Sequence, residues 1–247
     1  MNADEKAKLR ARDVWGAVAL IAASLFFLWR TSYIPLFGGN RAGVSDAAWY
    51  NSAAIVPLGI WSAMLVLGVG LLIASLKEAG RAALTAAGLG WNIAEIRRVG
   101  AIAVILLFYI FGLAPRVDFI IASGLLITAL IYGYHDGIAG RMMLSAAAVA
   151  LAGGYALIAH FPQSQWNKPH DDDWAALAIW VLLTLWMLRH GEGRVIRAVP
   201  YVAALLPFAL VCAMAFGFRQ NVPNRGGLLF SQIEYQYYVT VKPLWAR

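Results

Sequence analysis

The chain has 247 residues, 61% of them hydrophobic and only 13% charged, with a mean hydropathy of +0.66. Soluble domains carry roughly 25% charged and about 45–50% apolar residues, so this composition excludes an ordinary soluble fold and indicates an integral membrane protein. The net charge of +7 does not point to nucleic acid, because no basic cluster stands apart from the end of an apolar run.

Met1–Asp13 is a mixed-charge leader carrying Lys6, Lys8, Arg10 and Arg12. The apolar run Val14–Tyr33 that follows exceeds the core of a signal peptide and has no convincing small-residue cleavage site after it, so it predicts an uncleaved first span. Residues 34–52 form a loop rich in Gly, Asn and Ser, including Gly38-Gly39-Asn40. Ala53–Leu76 is the second span, with Pro57 in the first turns, where a missing N–H is tolerated. Lys77–Arg98 is a polar connection whose Ala/Leu-rich middle, with Trp91, Ile93 and Ile96, predicts a helix in the membrane interface.

Val99–Tyr134 is an apolar stretch broken once, by Pro115-Arg116-Val117-Asp118. It predicts a tight helical hairpin whose first arm ends near Ala114, since proline lacks an N–H and restrains the residue before it. Arms of 16 to 17 residues fall short of the roughly 20 that a ~30 Å hydrocarbon core requires, so the hairpin either crosses as short packed helices or dips in and returns. A His135-Asp136-Gly137 turn leads to a fifth apolar segment, Met142–Phe161. There Ala148, Ala152 and Ala156 recur every four residues beside Gly153, a face on which another helix can approach closely.

Pro162–Asp173 reads as a polar loop ending in His170-Asp171-Asp172-Asp173. Trp174–Leu188 is a short sixth span, and Ala198–Gly217 a seventh with a kink expected at Pro207. The only cysteine, Cys212, lies in this last run, so no disulfide framework exists and it reads as a small buried hydrophobe. The tail, Phe218–Arg247, is not apolar enough to span. From Gln232 to Lys242 it alternates, with Ile233, Tyr235, Tyr237, Val239 and Val241 on one side. Two readings stay open: a half-buried strand that needs a partner edge, or an aromatic segment among lipid headgroups.

The fold class is therefore all-α, a polytopic integral membrane protein of about seven segments including the hairpin at 99–134. With the N-terminus cytoplasmic, twelve of the 20 Lys and Arg fall inside, among them Arg97, Arg98, Arg141 and Arg189. Six countable ones fall outside, which fits retention of basic loops in the cytoplasm. Seven crossings place the C-terminus outside.

No apolar segment carries an Asp, Glu, Lys or Arg well inside it; Arg30, Asp118 and Asp173 lie near ends. Ion-coupled carriers need ionisable groups or broken helices near the midplane, so this chain reads as a subunit rather than a carrier. His135-Asp136 falls on the cytoplasmic side and His160 and His170 outside, so these residues do not form one metal site. His160 reads as an interfacial polar tip, and His170 with its three aspartates as a solvated acidic loop. No nucleophile elbow or phosphate loop is present, and no catalytic residue, metal or cofactor is expected.

The order of segments from about Asp13 to Ser164 resembles the small membrane subunit of tripartite tricarboxylate transporters, the TctB family. The residues that carry the likeness are Ile55-Val56-Pro57-Leu58 early in the second span, then Asp118-Phe119-Ile120-Ile121-Ala122-Ser123 opening the second hairpin arm. Gly140-Arg141 matches a short basic turn, and Phe161-Pro162-Gln163 matches the family's proline-containing end. Two departures stand out. Asp118 replaces the usual glycine, and the chain runs some 80 residues further. Three regions follow: a TctB-like membrane domain at 1–165, which the resemblance implies, then two additional transmembrane helices at 166–217 and a periplasmic or interfacial aromatic tail at 218–247, which it does not cover and which rest on the apolar runs alone.

It further implies an accessory role in the bacterial inner membrane. The partners would be membrane lipid, a large multi-span transport subunit and a periplasmic solute-binding protein that delivers an organic carboxylate. Candidate interface residues are Ala148, Ala152 and Ala156, with Asp118, Phe119 and Ser123 at the hairpin and Tyr235, Tyr237, Tyr238 and Trp245 in the tail. The alternative is a membrane-embedded enzyme or enzyme subunit with a His/Asp site.

Overall fold

The computed structural model describes residues 3–38, 52, 54–79, 92–162, 169–217, 222, 224 and 226–245; the side chains of 3–11, 78, 79 and 245 lie outside that set. The chain divides into two compact units, Met1–Asn92 and Ile93–Arg247.

The first unit is a pair of packed helices, α1 (Ala3–Thr31) and α2 (Ile55–Ala79). Gly68 of α2 faces Leu20 and Ile21 of α1, and an added Cβ would stand 3.0 Å from Ile21. Nearer the connection, the rings of Phe27 and Trp61 stack at 4.3 Å. Hydroxyls within this apolar pair donate to the preceding turn, as Ser24 does to the Leu20 carbonyl at 2.7 Å. A hydroxyl in lipid must find such a partner. Most of the expected interfacial helix, residues 80–91, lies outside the described residues.

The second unit begins with α3 (Ile93–Phe108), which continues as a π-helical turn, Tyr109–Leu113. Together they give an apolar helix of 21 residues, Ile93–Leu113, long enough to cross a bilayer. The first hairpin arm is thus longer than its apolar run, because Ile93–Arg98 extends the helix N-terminally instead of lying apart from it. The second arm, α4 (Phe119–Tyr134), keeps the 16 residues expected. Ten of them are buried, because α4 is packed against α5 (Ala139–His160), α6 (Asp171–His190) and α7 (Arg194–Cys212). A short, nearly all-apolar helix suits a central position, where neighbouring helices cover it on several sides.

Among the described residues, five helices are long and apolar enough to cross a membrane: residues 12–31, 55–77, 93–113, 139–160 and 194–217, the last including a π turn at Ala213–Gly217. Among the described residues the tail contains no strand. It is helical, as α8 (Leu228–Gln236), a π turn (Tyr237–Val241) and α9 (Lys242–Trp245). This corrects the alternation reading. A lone strand leaves both edges unsatisfied, whereas a helix closes its own hydrogen bonds and still turns Phe230 into the core.

Two more expectations change. Asp171–Asp173 are not a loop but the first turn of α6, and Asp172 and Asp173 are each only 1% exposed. The small-residue face of α5 lies within the chain's own core, with Ala152 and Ala156 buried and Ala148 at 9% exposure. Beside it, Gly153 meets the backbone of α3: an added Cβ would stand 2.6 Å from the Phe108 carbonyl oxygen. A Cβ on Gly112 would meet the Gly153 carbonyl at 2.4 Å in return. The close helix approach that the spacing implies occurs here inside one chain.

Candidate functional site: buried carboxylates where three helices begin

At one end of the second unit the N-termini of α4, α6 and α8 converge on two carboxylates. Asp118 is the N-cap of α4: its Oδ1 accepts from the Ile120 N–H at 2.8 Å. Its Oδ2 accepts from the Leu229 and Phe230 N–H groups of α8 at 3.0 and 2.8 Å. One side chain therefore satisfies the orphan amides of two helices. Asp173 works in parallel, accepting from the Asp118 N–H at 2.6 Å through Oδ1 and from the Leu228 N–H at 2.7 Å through Oδ2. The positive ends of three helix dipoles face these anions. Gly227 permits the approach, since a Cβ there would lie 2.6 Å from Asp118 Oδ2.

Arg116, 5% exposed, does the converse at a helix C-terminus. Its Nη1 donates to the Phe111 carbonyl at 2.7 Å, where α3 ends and leaves carbonyls without helical partners. The Arg116 carbonyl in turn accepts from Asn224 Nδ2, which ties the segment before α8 to the hairpin turn. Phe230 then closes a small apolar cluster with Ile120, Val211 and Val222.

Burial pushes the Asp173 carboxyl up from its ordinary value; the amides of Asp118 and Leu228 oppose that shift, and the charges of Asp172 and Asp118 add to it. For Asp171 burial also pulls upward, but hydrogen bonds outweigh it and hold the group below its ordinary value. They come from Tyr155, from the residue's own amide and from His160. Tyr155 Oη donates to Asp171 Oδ2 at 2.9 Å, and His160 Nε2 lies at 2.9 Å from the same oxygen. His160, Asp171 and Asp172 bring one donor atom each within 4.8 Å of one another, the described grouping that could hold a metal ion. His170 Nδ1 lies 3.3 Å from Asp173 Oδ2.

His135 and Asp136 stand at the opposite end of α5, whose 22 residues span about 33 Å. Asp136 pairs there with His135 and Arg141, and Arg141 Nη2 also donates to the His190 carbonyl at 2.9 Å. Tyr134 Oη donates to the Arg98 carbonyl at 2.9 Å at this same end.

Of the expected interface residues, the fold gathers only those of the hairpin. Asp118 is fully buried, Phe119 is half-buried, and Ser123 Oγ lies 3.4 Å from Tyr109 Oη. In the tail Tyr235 and Tyr238 are exposed, while Tyr237 stacks on Phe216 at 3.9 Å; the Trp245 side chain lies outside the described residues. Arg116, Asn224, Gly227 and the three amides of α8 were not expected at a site. Local signals for them exist: Asp118 precedes an apolar run as an N-cap does, and Asn224 and Gly226-Gly227 precede Leu228-Leu229-Phe230 as a helix start does. Chemically the arrangement anchors helices, with each carboxylate oxygen of Asp118 and Asp173 engaged by an amide. Comparison with protein families, with curated proteins and with solved structures gives no match for this chain.

Proposed function

We propose that this chain is an accessory scaffold subunit of a secondary uptake system for organic carboxylates in the bacterial inner membrane, supporting a large transport subunit served by a periplasmic binding protein. The carrying observation is where the buried charge lies. Arg116, Asp118, Asp172 and Asp173 are all at helix ends, while the interior of α4 offers only hydroxyls such as Ser123, Thr128 and Tyr132. A coupled carrier needs ionisable groups at mid-depth along a path. The choice of carboxylate uptake rests on the resemblance at Ile55–Leu58 and Asp118–Ser123.

Seven spans with a cytoplasmic N-terminus agree with the contacts of the second unit. The segments assigned outside (116–118, 171–173 and 224–230) hydrogen-bond to one another, and those assigned inside (98, 134–141 and 190) do likewise. Since Ala148, Ala152 and Ala156 are enclosed within the chain, a partner would meet outward apolar faces such as Leu151 and Ile158 of α5. Affinity purification from native membranes in mild detergent tests this reading. Recovery of a roughly twelve-span protein in fixed ratio is expected; a chain recovered alone and fully folded refutes it.

One observation favours the alternative, an enzyme or enzyme subunit with a His/Asp site: the convergence of His160, Asp171 and Asp172. A metal in stoichiometric amount, lost on His160→Ala, would select it.

A further inference from the structure

Helix α7 and the tail enclose an open groove of about 440 Å³. Phe208, Cys212 and Phe216 form one wall, a single stripe at four-residue spacing; Ile233, Tyr237 and Val241 form the other, with Gln232 and Gln236 beside them. The tail is anchored at its start on Asp118 and Asp173, and the Phe216–Tyr237 stack at 3.9 Å bridges the two walls. The volume lies in the range of ligand-binding sites. A protein helix is a poor occupant, since one turn about 10 Å across and 5.4 Å tall already fills roughly 400 Å³.

A thin, flexible hydrocarbon suits the groove better, and the position says where it would come from. One wall belongs to a helix apolar enough to cross a membrane, and the same stripe continues one turn beyond Phe208 to the exposed Leu205. The groove is therefore continuous with a surface that faces hydrocarbon. Beside it, Lys242 Nζ lies 5.1 Å over the ring of the exposed Tyr238, a cation and phenol of the kind found at headgroup depth. We propose that the groove between α7 and the tail holds one acyl chain of an anionic phospholipid, with Lys242 beside the headgroup.

Cys212 is the only cysteine of the chain and half-buried in the groove wall. The test adds phosphatidylglycerol to the delipidated full chain in mild detergent and reads bound lipid by native mass spectrometry. One lipid per chain is expected. Cys212→Trp and Ile233→Trp, which fill the groove from opposite walls, should each lower the bound fraction about tenfold. Leu210→Trp, on the opposite and exposed side of α7, should leave it unchanged. Groove variants that elute and unfold like the parent chain yet bind lipid equally would overturn the proposal, as would a parent chain that binds none. A dimer of the chain that Cys212→Trp abolishes would also overturn it, by naming a second copy as the occupant. Should both groove variants misfold, a diazirine-bearing phosphatidylglycerol is applied to the unaltered chain. Crosslinks concentrated at 208–216 and 233–241 support the site, and an even spread over α7 refutes it.

Discussion

Replacing Asp118 by alanine removes three accepted hydrogen bonds, those from Ile120, Leu229 and Phe230. Each buried amide left without a partner costs about 1–3 kcal/mol, and loss of an N-cap typically about 1 kcal/mol. Removing a fully buried anion beside Asp173 gives some of this back, since both no longer compete for charge in one small volume. A net loss of about 3 kcal/mol is expected, mostly in the docking of α8, because α4 stays clamped by three neighbouring helices. Hydrogen exchange in mild detergent reads this locally. Protection of the Leu228, Leu229 and Phe230 amides should fall roughly a hundredfold while that of mid-α4 changes little. Gly227→Ala should produce the same local loss with Asp118 intact, because its Cβ would stand 2.6 Å from Asp118 Oδ2. Unchanged protection of the three amides in Asp118→Ala would refute the view that this carboxylate anchors the tail.

Gly153→Ala should destabilise by about 1–3 kcal/mol, since the new methyl meets the Phe108 carbonyl at 2.6 Å, whereas Gly154→Ala, with its nearest contact at 3.6 Å, should be near neutral. Unfolding by denaturant in detergent compares the two. Thr128→Val breaks the 2.9 Å bond from Trp180 Nε1 and should cost about 1 kcal/mol; combining it with Trp180→Phe should cost less than the two singles added. Asp173 has a raised carboxyl pKa, so the folded state holds its proton more tightly than the unfolded one. Its contribution is therefore fully present below the ordinary value of 3.8 and is lost as pH rises through the raised one. The thermal midpoint of the parent chain relative to Asp173→Asn should rise as pH is lowered toward that value, and a falling difference would contradict the assignment. Asp171, held below its ordinary value, should show the opposite slope against Asp171→Asn.

Composition and apolar run length by themselves determined that this is a helical protein of membrane-spanning character, and where most of its helices lie. Burial in lipid leaves a chain little choice, because every backbone group must be satisfied within its own helix. Proline marked the end of α3 near Ala114 for the same local reason: it removes a donor and restrains the residue before it. Three features depended on tertiary structure. The start of α3 at Ile93 was masked by Arg97 and Arg98, which hydropathy counts as loop but which a helix tolerates at its end. The tail's alternation suited a strand equally well until the Leu229 and Phe230 amides of α8 found their cap in Asp118, 111 and 112 positions earlier. The face Ala148–Ala156 announced a close helix contact, but spacing along one helix carries no information on whether the neighbour belongs to the same chain. Asp118 and Asp173 look alike in the sequence as acids at the ends of apolar runs. Only folding brings them together, because the amides that hold them belong to helices whose order in space is set by packing around α4.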